Sequence, residues 1–188
     1  NMISNPVTVT NDSVTVLYPT SVLSYAFSFN AGYIQDYTME NGTGYWEKFP
    51  AATSQSVSGV PRTRDSIDVL AGWNMVGTIS NPVDTNTIVS VPPGMRTSPW
   101  FAFAGAYVPV TQLVPGQAYW VRSNAAGVFV LANPLVAGPA KVQPSGKALN
   151  EVLNSVTITD SKGGSQTLYF GADANTEVPV SYYTMPPS

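Results

Sequence analysis

The chain states one pattern twice, and that repetition constrains its fold more than any other feature. Asn74-Met75-Val76-Gly77 echoes Asn1-Met2-Ile3-Ser4, and Gly116-Gln117-Ala118-Tyr119-Trp120 echoes Gly42-Thr43-Gly44-Tyr45-Trp46, with a period of 73 to 74 residues. Between these anchors Phe27, Phe29 and Tyr33 return as Phe101, Phe103 and Tyr107, while Asn5-Pro6-Val7 returns as Asn81-Pro82-Val83. Repeated modules are commonly built for reach, stacking or display, and nothing catalytic is visible inside this unit. The period divides the chain into a duplicated module over 1–134, with copy one at 1–72 and copy two at 73–134. A C-terminal β segment, 135–188, follows and holds too few strands to be complete on its own.

Short runs rich in Val, Ile, Thr and aromatic residues, bounded by Gly, Pro or Asn, predict strands at 13–18, 22–29, 44–49, 66–70 and 73–79. Further runs lie at 87–91, 100–103, 118–122 and 127–131. Sixteen prolines and fifteen glycines are spread along the chain, which shortens helices and suits a fold with many corners. The expectation is an all-β protein: two tandem β-sandwich-like repeats, then a small hairpin-containing segment that is Ig-like or a partial sandwich. In that segment 155–159 and 166–170 alternate about a turn at 160–164, and 177–183 supplies a third run that Pro179 directs to an edge. Residues 147–153 are the one candidate helix, and the proline-rich stretch from Asn133 to Ala140 reads as a linker.

Two zero counts narrow the chemistry: there is no His and no Cys. Ser-His and Cys-His nucleophilic mechanisms, thiolate metal sites and a disulfide framework are all removed. A net charge of −3 without a basic run gives no footprint for nucleic acid. No stretch approaches the roughly 20 apolar residues of a bilayer span. No cofactor, metal, nucleic-acid partner or membrane insertion is expected.

Acidic pairs are the one remaining route to an enzyme, because glycoside hydrolysis needs two carboxylates across the scissile bond. The candidates are Asp36 with Glu40, Asp65 with Asp68, and Glu47 alone. Copy two holds Val110, Val114 and Val121 at the places of Asp36, Glu40 and Glu47, so the duplicated unit itself carries no acid pair. The expectation is a non-enzyme. Asp84-Thr85-Asn86 and Asp173-Ala174-Asn175 offer oxygen to Ca²⁺ but read first as turns.

Tyr45-Trp46 and Tyr119-Trp120 admit two readings, core packing and glycan stacking. Neighbouring side chains on a strand point to opposite faces, so at most one residue of each pair lies in any one groove. Core packing is the leading reading. The retained spacing of Phe27, Phe29, Tyr33 and Tyr45 against Phe101, Phe103, Tyr107 and Tyr119 implies the same inward-facing slots in both copies.

Gly72-Trp73-Asn74, the Asn-Pro-Val that follows, the aromatic strand and the closing Gly42-Thr43-Gly44-Tyr45-Trp46 together resemble a known pattern. It is that of the duplicated β-modules near the C-termini of large secreted proteins in bacteria that use type IX secretion. The stretch 153–171 with Met185-Pro186-Pro187 is similar to the segment that follows those modules. Copy two departs at Ala118, where the pattern has its second glycine, and no Trp precedes Asn1. The resemblance implies an extracellular or cell-surface location and a section of a longer polypeptide. The function it favours is a non-catalytic structural module of a secreted protein: a spacer, a stalk or a self-associating filament subunit. Its partners would be further copies of itself or other parts of a longer chain. The second class is a carbohydrate-binding module with a glycan partner.

Overall fold

The computed structural model describes residues 1–52 and 54–133, and the backbone of two further strands in the tail. Among the described residues there are seventeen strands and one helix of four residues, so the all-β class holds. Copy one contributes β1 (Met2–Ser4), β2 (Val7–Thr8), α1 (Val14–Leu17), β3 (Ala26–Phe29), β4 (Tyr33–Asp36), β5 (Gly44–Trp46) and β6 (Val60–Pro61). Next come β7 (Arg64–Val69), β8 (Gly72–Val76), β9 (Val83–Asp84), β10 (Val89–Val91), β11 (Trp100–Phe103), β12 (Tyr107–Val110), β13 (Gln112–Leu113), β14 (Tyr119–Ser123) and β15 (Gly127–Ala132). In the tail, β16 (Asn154–Thr159) and β17 (Ser165–Phe170) form an antiparallel pair with Asn154 opposite Phe170, as the alternation of those runs predicts. The linker from residue 134, the helix at 147–153, the turn at 160–164, the third run at 177–183 and Asp173-Ala174-Asn175 lie outside the described residues.

The two copies build the same four-stranded sheet, in the order β1-β5-β3-β4 in copy one and β8-β14-β11-β12 in copy two. Register is duplicated too. Met2 and Phe27 flank Trp46, and Met75 and Phe101 flank Trp120 in the same way. Strand alternation then sorts the side chains. Ile3 and Tyr45 face a core inside copy one, and Val76 and Tyr119 face one inside copy two. The intervening Met2, Met75 and Trp120, with half-buried Trp46, form a third cluster between the sheets. Each sheet thus covers its own copy on one face and the other copy on the opposite face.

The outer layers differ. Copy two is closed by a second sheet, β10-β15-β7, whose β7 runs along β15 from Val69 opposite Gly127 to Arg64 opposite Ala132. β7 lies before the sequence period of copy two begins, so the structural unit starts earlier than the repeat does. In copy one the equivalent of β10 is not a strand. The run at 13–18, predicted as a strand, forms α1, because Val14 and Leu17, three residues apart, fall on one face of a helical turn. Both are buried with Tyr18, whose hydroxyl donates to the Ser4 carbonyl at 2.9 Å. They pack in one cluster with Ala26, which stands where copy two has the much larger Trp100. The small residue leaves the room that the helix and Tyr18 fill.

The expectation that all the matched aromatic residues point inward also needs correction. Tyr33 and Phe103 sit at the rim of the layer between the copies, 41% and 40% exposed, because the sheets end there.

Candidate functional site

The two Tyr-Trp pairs are the best-matched features of the sequence, and the structure divides each pair between two interiors. The Tyr45 hydroxyl accepts the Glu40 backbone N–H at 2.9 Å, and the Tyr119 hydroxyl accepts that of Val114 at 2.8 Å. Desolvation pushes the Tyr45 phenol up to about 12 and raises that of Tyr119. The two tryptophans cross between copies. Trp46 meets Phe103 and Trp120 meets Phe29, each with ring centroids 4.8 Å apart in an edge-to-face arrangement. Tyr45, Tyr119 and Trp120 are buried, and Trp46 is half-buried. Tyr45, Tyr119 and Trp120 are packed as the leading core reading expects and present no open ring face for glycan stacking, while Trp46 packs on Phe103 and stays half-buried.

A cleft of about 760 Å³ opens between copy one and the β7-β8 hairpin, with Tyr45 among the residues that line it. Phe29, Ile34 and Trp73 give it apolar walls, and Asp36, Glu40 and Asp68 line it with carboxylates. The structure therefore brings together three of the five acids singled out in the sequence. Asp65 is taken away, because three residues along a strand reverse the side-chain direction and its carboxylate pairs with Arg62 at 2.6 Å. Glu47 is also elsewhere, buried, accepting the Ser21 hydroxyl and the Lys48 N–H. Asp84 accepts the Asn86 N–H at 2.8 Å, which makes that segment a turn.

Among the described residues no three His, Cys, Asp or Glu side chains are grouped to hold a metal ion. What the cleft offers is carboxylate hydrogen-bond acceptors and an indole among its lining residues, a combination suited to a polyhydroxylated ligand. Trp73 was legible in the sequence only as the opening of the repeat. The sequence signal for the cleft was the asymmetry of its acids, since Asp36 and Glu40 have valines as counterparts. Among the described residues no helix is long and apolar enough to cross a membrane.

Comparison with models of protein families, with curated proteins and with solved structures gives no match.

Proposed function

We propose that this chain is a non-catalytic structural module of a secreted or cell-surface protein, serving as a spacer, stalk or self-associating subunit. One observation carries this reading: the recurring residues serve packing, Tyr45 and Tyr119 inside each copy and a second set between the copies. Met2 and Met75, Phe29 and Phe103, and Trp46 and Trp120 meet in the layer between the sheets. A unit whose most repeated residues serve packing is built for shape and stiffness. The absence of His and Cys from the sequence points the same way.

Single-molecule pulling tests the role directly. A stiff spacer should unfold both copies in one cooperative event, whereas two separate events at well-resolved forces would sink the reading. A screen of glycosidase and peptidase substrates should give background rates only, and turnover lost on Asp36→Asn or Glu40→Gln would overturn it.

The cleft favours a second reading, carbohydrate binding, because Trp73, which also packs on Phe101 and Trp120, lines it together with Asp36, Glu40 and Asp68. Saturable binding on a glycan array, abolished by Trp73→Ala, would move the assignment to that class.

A further inference from the structure

Gln35 stands where copy two has Pro109, and the exchange falls on the outer edge of a sheet. In both copies the end strand of the four, β4 or β12, has a neighbouring strand on one side only. The register is duplicated, with Phe27 opposite Gln35 and Phe101 opposite Pro109. The hairpin bond from the Asn30 N–H to the Gly32 carbonyl at 2.9 Å, matched by Ala104 to Ala106, sets the phase of the ladder. Bonded and non-bonded pairs alternate along an antiparallel ladder, so Ser28 with Ile34 and Ala26 with Asp36 are the bonded pairs. The backbone N–H and C=O of Gln35 therefore point away from β3. Pro109 points the same way and has no N–H to offer there. The Tyr37 carbonyl, next on that side, accepts the Val14 N–H at 2.9 Å, and the Met39 N–H donates to the Asp12 carbonyl, so the chain around Ser13 covers the edge beyond Asp36. Among the described residues nothing pairs with the outer side of Gln35.

The charge beside this edge differs between the copies as well. Side chains alternate along β4, so Ile34 and Asp36 share the face that lines the cleft, where Glu40 and, from β7, Asp68 join them. Copy two has Val110 and Val114 at the places of Asp36 and Glu40, and Val110 packs against its core instead. No Lys or Arg is among the residues that line the cleft. The ion pair found among the described residues, Arg62 with Asp65, leaves these three carboxylates out. Ile34 and Tyr37 add apolar surface to the same edge, 45% and 59% exposed. Copy one thus joins an open backbone edge to uncompensated negative charge on one short strand, and copy two lacks both.

We infer that β4 is a docking edge for an extended, positively charged peptide, which joins the sheet of copy one as a further strand. Main-chain bonds to Gln35 hold it, and its alternate side chains project on the cleft side. There a Lys or Arg lies beside Asp36 and an apolar residue beside Ile34, because opposite charges and apolar groups are the favourable neighbours across adjacent strands. The segment that fits carries a basic and an apolar residue two positions apart. A second copy of β4 fits less well, since it brings another Asp36 and Glu40 to an edge that is already acidic. The inference does not depend on whether the chain serves as a spacer or stalk.

The test is fluorescence anisotropy of the full chain with a labelled peptide, Thr-Val-Thr-Lys-Thr-Val-Thr, against the same peptide with Glu in place of Lys. Saturable binding of the Lys peptide, weakening as salt is raised, is the expected result. Equal binding of both peptides, or of neither, overturns the inference. Gln35→Pro gives copy one the edge residue that copy two already carries, and should weaken binding roughly tenfold. Asp36→Val with Glu40→Val should weaken it as well and remove the salt dependence. Unchanged affinity in either variant overturns the inference. If Gln35→Pro does not fold, peptides N-methylated at alternate amides decide: loss of binding for one set only supports edge pairing, and equal affinity for both sets overturns it. Sedimentation of the chain alone supplies the other occupant as an outcome, since a dimer that Gln35→Pro dissolves assigns the edge to a second copy and overturns the peptide.

Discussion

Copy two is closed by sheets on both sides of its core, whereas copy one is closed by a sheet on one side and by α1 with irregular chain on the other. Among the described residues, twelve buried ones form the inner core of copy two and seven that of copy one, so copy two has the larger described core. The sides facing each other hardly differ. The crossing Trp–Phe contacts are matched, each with a 4.8 Å ring separation, while Trp73, on Phe101 and Trp120, has no counterpart in copy one. The contrast teaches where duplicated units are free to change. A face packed against its twin is constrained by the twin, while the outer face can exchange Trp100 for Ala26 and a strand for a helical turn.

The largest expected effect tests the shared layer. Trp120→Ala empties a fully buried site and should cost about 3 to 5 kcal/mol in denaturant unfolding. Trp46→Ala, at the equivalent but half-buried position, should cost about half as much. Equal losses would show that the two tryptophans bear the layer alike and would remove the asymmetry.

A second measurement separates the copies by pH. Burial pushes the Tyr18 and Tyr45 phenols of copy one and the Tyr107 phenol of copy two up to about 12, and raises that of Tyr119 in copy two. Tyr18 has no aromatic counterpart, as Pro92 takes its place. A group whose pKa is raised on folding contributes stability that is fully present below its unfolded value, about 10 for tyrosine, and is lost as pH climbs towards the folded value. The urea midpoint should therefore hold up to about pH 10 and fall between pH 10 and 12. Tyr18→Phe should flatten that fall. An unchanged pH dependence in the variant would show that Tyr18 does not set the alkaline limit, leaving it to Tyr45 and Tyr107.

The smallest effect probes what the copies have in common. Tyr45→Phe and Tyr119→Phe each remove one hydroxyl acceptor from a backbone N–H, at 2.9 and 2.8 Å, and should each cost about 1 kcal/mol. Matching losses would confirm that the duplicated hydrogen bond does the same work twice. A difference above about 1 kcal/mol would mean the outer layers reach through to it.

Local pattern was enough for much of this protein. Alternation along 155–159 and 166–170 specified a hairpin, and the repeated Gly-x-x-Tyr-Trp placed β5 and β14, because side-chain direction along a strand is a property of the backbone itself. The three- and four-residue strands β1, β4 and β12 were not legible. They are shorter than one clear alternation, and β4 is exposed on both faces.

By itself, then, the sequence determined the class, the duplication and the two-faced nature of each Tyr-Trp pair. The tertiary structure decided what each face would meet. The apolar residues at 13–18 suit a strand or a helical turn equally, and the space beside Ala26 settled the matter. Asp65 and Asp68 are neighbours in sequence, yet pairing of β7 with β15 sent one to Arg62 and the other into the cleft. Whether a Trp ring stacks on a sugar or on Phe103 is fixed by the partner that covers it, and partners 57 to 91 positions away in the chain are not written into any local period.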